Sequence, residues 1–140
     1  MRIKAMHPNF IMPVKSTQGA GAFDIYMPEA GVASHCETIK VGLGFAAEIP
    51  ENHVALILPR SGVGSKQGIE LNNTAGVIDS DYRNEWFATL RLKRVGNYTW
   101  EAGDRILQFL IVPVAQVTLE QVDELNTTQR GMGGFGSTGK

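Results

Sequence analysis

The sequence predicts an all-β domain, a barrel or jelly roll with at most one short helix. Three observations carry that prediction. No long segment repeats its apolar residues with a helical period. Short apolar runs rich in Val and Ile recur along the chain, bounded by Gly, Pro, Asn and Asp. The 16 glycines fall largely where those runs stop and turns are needed. A chain of 140 residues suits one domain, and a domain of that size buries roughly two-thirds of its unfolded surface. A net charge of −1 offers no field for nucleic acid or a membrane surface. Cys36 is the sole cysteine, so no disulfide forms within the chain, which fits a reducing, cytoplasmic setting. The basic start lacks the apolar stretch of a signal peptide. No run approaches the roughly 18 apolar residues of a membrane span.

Taken in order, residues 2–14 read as a short apolar strand region closed by Pro13. Residues 15–21 are polar and Gly-rich, hence a loop. Residues 22–26 read as a strand in which Asp24 points away from Phe23 and Ile25. A solvent-facing side chain is the plain reading of Asp24 from this segment alone. Residues 37–49 read as a pair of strands. Their Gly42-Leu43-Gly44 resembles the start of a dinucleotide fingerprint, but Pro50 stops the helix that fingerprint requires. Residues 54–58 are continuously apolar, as in a strand covered on both faces, and Pro59 ends it. In Arg60-Ser61-Gly62 and the residues up to Gly68, Ser61 suits the N-cap of a single helical turn. Arg60, the hydroxyl and free N–H groups suit a phosphate equally well.

The stretch 71–87 organises the rest. Val77 and Ile78 suit a strand; Asp79, Ser80, Asp81, Tyr82, Arg83 and Asn84 suit a polar turn. The expected form is a hairpin presenting backbone donors, two carboxylates and an aromatic ring in one small volume. Such equipment holds a small polar ring and activates a water; a merely solvated turn is the alternative. Trp86, Ala88, Leu90 and Leu92 then alternate against Phe87, Thr89, Arg91 and Lys93, the pattern of a half-buried strand. Turns follow at Gly96-Asn97 and at residues 101–104. Residues 105–113 are apolar on both faces except at Gln108, whose amide, if buried unpaired, costs about 1–3 kcal/mol. Apolar residues on both faces point to burial by other copies of the chain. Residues 114–125 read as one more strand, and residues 126–129 as a linker. The chain therefore divides into a body, 1–125, and a Gly-rich arm, 126–140. A disordered end is the usual state of such an arm. Yet Phe135 can stack on a base, and Arg130, Gly136, Ser137 and Thr138 can wrap phosphates. His7, His35 and His53 are scattered without metal-ligand spacing.

Five segments, in order and spanning nearly the whole chain, resemble the five motifs of the trimeric dUTP pyrophosphatase (dUTPase) family. The first is Gly21-Ala22-Phe23-Asp24-Ile25 and the second Pro59-Arg60-Ser61-Gly62. The third runs from Asn73 through Gly76-Val77-Ile78-Asp79 to Asp81-Tyr82-Arg83. The fourth is Gly103 with Arg105-Ile106 and Gln108, and the fifth Arg130-Gly131 with Gly133-Gly134-Phe135-Gly136-Ser137-Thr138-Gly139. The resemblance implies a β jelly roll assembled as a homotrimer, with sites at subunit interfaces. It implies hydrolysis of dUTP to dUMP and pyrophosphate with Mg2+ on the triphosphate, which keeps uracil out of DNA and supplies dUMP for thymidylate synthesis. By resemblance, Asn73, Gly76, Val77 and Ile78 would read uracil, and Tyr82 would pack on the deoxyribose and exclude a 2′-hydroxyl. Asp79 would orient the attacking water as general base. Arg60, Ser61, Gly62 and Gln108 would hold phosphates. Asp24 would reach the metal through water, with no direct protein ligand to it. The arm would close over a neighbour's site, with Phe135 on the base. Nucleic acid and membranes are not expected partners.

The chain departs from the family pattern at Gly21-Ala22, at Asn84 where Gly is usual, at Leu107 and at Phe87. Met132 fills a variable place. A dCTP deaminase shares the fold but needs a catalytic Glu; Glu85, the nearest acid, sits in an unremarkable position. A binding or regulatory protein that kept the pocket without turnover is the reading from another class.

Overall fold

The computed structural model of the chain describes residues 1–134. Eleven strands form it: β1 (Arg2–Ala5), β2 (Phe23–Ile25), β3 (Gly31–Ser34), β4 (Thr38–Gly42), β5 (Phe45–Glu48), β6 (His53–Pro59), β7 (Ile69–Leu71), β8 (Gly76–Ile78), β9 (Phe87–Leu92), β10 (Asn97–Trp100) and β11 (Leu107–Pro113). One four-stranded sheet runs β2-β11-β6-β8 and one three-stranded sheet runs β4-β9-β7, with two-stranded ribbons β1-β5 and β10-β3 beside them. Every ladder is antiparallel. The all-β expectation holds, as does the single helical piece, a π-type turn at Val63–Gln67. Gly68 stops that turn with a left-handed φ of 78°, a conformation that costs glycine no steric penalty. The expected Ser61 cap is not used: Gly62 occupies the cap position and no side chain bonds to the turn.

The core lies between the sheets. Phe45, Trp86 and Phe109 are fully buried and meet at ring separations of 4.9 to 6.2 Å. Trp86 stands edge-on to Phe109 at 83°, a favoured aromatic geometry. The alternation of β9 is realised: Trp86, Ala88, Leu90 and Leu92 point into the core, while Phe87 and Thr89 are half-buried and Arg91 is exposed. Residues 37–49 do form two strands, but each finds another partner, β4 with β9 and β5 with β1.

Four expectations are corrected. The first strand stops at Ala5, and beyond it only Val14 bridges, to Asp24. Residues 71–87 are not a hairpin: β8 pairs with β6, whereas β9 pairs with β4 and β7. The polar turn thus carries the chain from one sheet to the other. Residues 114–125 form no strand. β11 lies inside its sheet, between β2 and β6, so the chain leaving it meets no free edge of its own. Finally, β6 and β11 are covered on one face only. Ala55, Ile57, Leu107 and Phe109 are buried, but Val54, Leu56, Leu58, Leu110 and Val112 remain half-exposed on the other face. The register sets Leu56 beside both Leu110 and Val77, and Val77 is 58% exposed. Among the described residues, no helix is long and apolar enough to cross a membrane.

Candidate active site

The turn between the sheets builds the first hollow. The chain leaves β8 at Ile78, and Tyr82 N–H donates to the Asp79 carbonyl at 3.2 Å. Arg83 reaches back to the carbonyls of Ser80, at 2.6 Å, and Tyr82, at 3.3 Å. The Tyr82 hydroxyl donates to the Glu85 carbonyl at 3.0 Å, which fixes its ring across the turn. Asn84 has no left-handed backbone. It serves instead through its side chain, whose Oδ1 accepts the Glu85 N–H at 2.8 Å. The Glu85 carboxylate accepts the Gly44 N–H at 2.9 Å and ties the return of the turn to the second sheet.

Beneath the turn lies a cleft of about 310 Å³ lined by Lys40, Val77, Ile78, Asp79, Tyr82 and Phe87. One wall comes from β8 and the other from β4 and β9. Asp79 is exposed, and its carboxylate has no hydrogen bond or ion pair among the described residues. Its oxygens are therefore available to accept from a water. Gly76 floors the strand for a packing reason: a Cβ there would lie 3.2 Å from that of Ile57 and 3.5 Å from Leu71 Cδ2. Asn73 stands outside the cleft lining, on the exposed turn before β8, where its carbonyl accepts the Ala75 N–H at 2.8 Å.

The second group gathers around Asp24. The plain reading of a solvent-facing residue fails, because Asp24 is only 5% exposed. Oδ1 accepts from Arg60 Nε at 2.9 Å; Oδ2 accepts from Ser16 Oγ at 2.9 Å and from Arg105 Nη1 at 3.2 Å. Arg60 Nη1 also donates to the Arg105 carbonyl at 3.1 Å. A carboxylate so buried needs paired charge and full hydrogen bonding, and two guanidiniums supply both. Gln108 lies beside Asp24 and Leu58 in the ladder. Its amide finds the partner it requires, the Pro59 carbonyl at 3.2 Å. Arg60 and Arg105 then face a polar hollow of about 570 Å³ with Tyr26, Tyr98 and Asp104. Burial, and then the Asp104 carboxylate, hold the Tyr98 phenol above its ordinary pKa of 10.0, so it remains a neutral donor. Ser61 and Gly62 are exposed at the start of the helical turn, and a Cβ on Gly62 would meet nothing within 4 Å.

The structure thus brings Asp24, Arg60 and Gln108 together in one place and Val77, Ile78, Asp79 and Tyr82 in another. Within a single chain the two groups line separate hollows. Arg130 is exposed in a turn at residues 128–131. Phe135, Gly136, Ser137 and Thr138 lie outside the described residues. Lys40, Ser16, Tyr26 and Tyr98 escaped the sequence reading. Only the pairing of distant strands places them, so no local signal marks them.

Among the described residues, no group of three or more His, Cys, Asp and Glu could hold a metal ion. Mg2+ does not need one, since it favours phosphate oxygens and retained waters. A carboxylate offers about four lone-pair sites. Ser16, Arg60 and Arg105 occupy three at Asp24, which leaves room for one water of a hydrated ion.

A dUTPase family model matches residues 8–139. The deoxyuridine 5'-triphosphate nucleotidohydrolase of Nautilia profundicola is 39% identical over 140 residues, covering 100% of this chain and 99% of that protein. That of Acinetobacter baylyi is 40% identical over 132 residues, 92% of this chain and 88% of that protein. The dUTPase of Staphylococcus bacteriophage 80alpha, a point mutant with dUpNHpp, superposes with a TM-score of 0.92 at 27% identity, covering 99% of this chain and 98% of that one. A point mutant of the dUTPase from phage phi11 of S. aureus, described with a structural Mg(II) ion, gives 0.80 at 24% identity over 88% of this chain and 96% of that one.

Proposed function

The chain belongs to the dUTPase family, and on that premise we propose that it hydrolyses dUTP to dUMP and pyrophosphate, with Asp79 as the general base. The observation that carries this reading is the free Asp79 carboxylate beside Tyr82 at the mouth of a cleft sized for a pyrimidine. The water oxygen attacks the α-phosphorus, and its proton passes to Asp79. The bond from that phosphorus to the bridging oxygen breaks, and pyrophosphate leaves. A positioned base contributes about 10²–10⁴ in rate. Tyr82 takes the face of the deoxyribose, where a 2′-hydroxyl would clash. Asn73 and the backbone of Gly76, Val77 and Ile78 read the base.

Arg60, with Ser61, Gly62 and Gln108, holds phosphate oxygens. A guanidinium fixed by a buried carboxylate needs little reorganisation when negative charge develops, which is how preorganised donors lower a barrier. Bound Mg2+ would neutralise the triphosphate and fix its shape, and the remaining lone pair of Asp24 accepts from one of its waters.

The site is shared in this reading. The half-exposed apolar face of β6 and β11, with Val77, and the strandless exposed residues 114–125 both lack cover within one chain. A homotrimer covers them and joins the two hollows across an interface. The arm 126–140 then reaches a neighbour's cleft, with Arg130 on phosphate and Phe135, Gly136, Ser137 and Thr138 closing over the nucleotide. The role in the cell is removal of dUTP and supply of dUMP.

The test is incubation with dUTP, dCTP, dTTP and UTP plus magnesium, following pyrophosphate and ammonia. Pyrophosphate from dUTP alone is expected. Ammonia from dCTP would make the chain a deaminase; nucleotide binding with neither product would make it a binding protein.

A further inference from the structure

Lys40 belongs to none of the motif segments, yet it forms part of the cleft. β4 pairs with β9 so that Lys40 opposes Thr89 and Gly42 opposes Phe87. Lys40 and Phe87 are therefore diagonal neighbours on the outward face of the ladder, within reach of each other. The Lys40 ammonium sits 4.2 Å from the centroid of the Phe87 ring. That contact orders a flexible side chain by attraction to the ring face, but it uses none of the three N–H donors of the ammonium. Among the described residues the ammonium has no carboxylate within ion-pair distance and no hydrogen-bond acceptor. Asp79 lines the same cleft and remains unpaired with it. An ordered cation with unspent donors, set in a wall that is otherwise Val77, Ile78 and Phe87, suits a ligand that brings an acceptor.

This inference rests on the function proposed above. If Asp79 and Tyr82 take the sugar, the remaining lining, Lys40, Phe87, Val77 and Ile78, takes the base. The phosphate-binding arginine faces a different hollow. We propose that Lys40 is a specificity-determining residue that donates a hydrogen bond to a carbonyl oxygen of the uracil ring. Its positive charge favours a carbonyl edge and disfavours the amino group that cytosine presents there.

The test compares the full-length protein with Lys40→Met, which keeps the length of the stem, and Lys40→Arg, which keeps the charge. Steady-state hydrolysis of dUTP and dCTP is measured, with inhibition by dUMP and by 2′-deoxyuridine. Lys40 is exposed, and equal melting temperatures confirm that the variants fold. For Lys40→Met, KM for dUTP should rise about tenfold or more, the loss expected for one hydrogen bond to a charged group. The value of kcat should hold. Affinity for the neutral nucleoside should fall by the same factor, and the preference for dUTP over dCTP should narrow. Lys40→Arg should restore most of the loss. A loss seen with dUTP and dUMP but not with deoxyuridine would overturn the proposal and make Lys40 a phosphate contact. Unchanged KM in Lys40→Met, with the wild type turning over dUTP, would overturn it and leave the function reading intact. A wild type that binds no uracil nucleotide would sink both.

Discussion

Replacing Asp24 with Asn tests the charge at the centre of the second hollow. The substitution keeps the shape and removes the anion. Two charge-assisted bonds are then lost or turned into neutral ones, those from Arg60 Nε at 2.9 Å and Arg105 Nη1 at 3.2 Å. Each is worth about 1.5–3 kcal/mol when fully sheltered. The Ser16 hydroxyl can reverse its role and accept from the new amide, so that contact survives. The guanidinium side chains are 33% and 39% exposed, and water can replace part of what they lose. The net loss is about 2 kcal/mol, a fall in melting temperature of about 4–8 °C for a chain of this length. Thermal scans at a fixed chain concentration measure it, because assembly makes the midpoint concentration-dependent. Turnover should suffer as well. An Arg60 released from its anchor holds phosphate less well, and misplacement of a binding group can cost about 10² in rate. Unchanged melting and unchanged kcat/KM together would refute the view that Asp24 fixes Arg60. Full recovery of activity on raising magnesium would show that the carboxylate serves the metal alone.

Three further outcomes are expected. Asp79→Asn should leave melting unchanged, because the side chain is exposed and unpaired, and should lower kcat by about 10²–10⁴; calorimetry with a non-hydrolysable dUTP analogue should show retained binding, and equal loss of both would remove the general-base role. A chain ending at Gln129 should sediment as the same oligomer yet turn over dUTP poorly, and full activity would dismiss the closing arm. The Tyr98 phenol, whose folded pKa lies above its ordinary value, gives a stability contribution that is complete below the unfolded pKa and is lost as pH rises through the folded one; Tyr98→Phe should remove that alkaline loss, followed by circular dichroism, along with the latest phenolate step in the absorbance.

The sequence exposes whatever a strand writes into its own pattern. β9 is such a case: Trp86, Ala88, Leu90 and Leu92 announce the buried face because period-two alternation needs no knowledge of the neighbouring strand. Residues 71–87 mark the limit. Their turn chemistry is plain, but nothing local states which sheet receives the strand on either side, so a crossing between sheets reads as a hairpin. Residues 114–125 fail for a related reason. Alternating apolar residues predict a strand only where an edge is free, and the edge depends on where β11 is placed. In the candidate site, Asp79, Tyr82, Arg60 and Gln108 are legible because their residue types suit the chemistry and lie in recognisable order. The three donors on Asp24 are not, since Ser16, Arg60 and Arg105 come from three separate loops. Lys40 is invisible for the same reason: the register of β4 against β9 alone brings it to Phe87 and the cleft.

The span that carries Asp79 is moored at two ends, by the β8 ladder and by the bond from Gly44 to Glu85. Any slippage of one sheet past the other therefore swings the acid out of aim before either ladder breaks. Turnover becomes a gauge of how well the two sheets are aligned. Substitutions at Phe45 or Phe109, remote from any nucleotide, should dull the enzyme at temperatures where it is still fully folded.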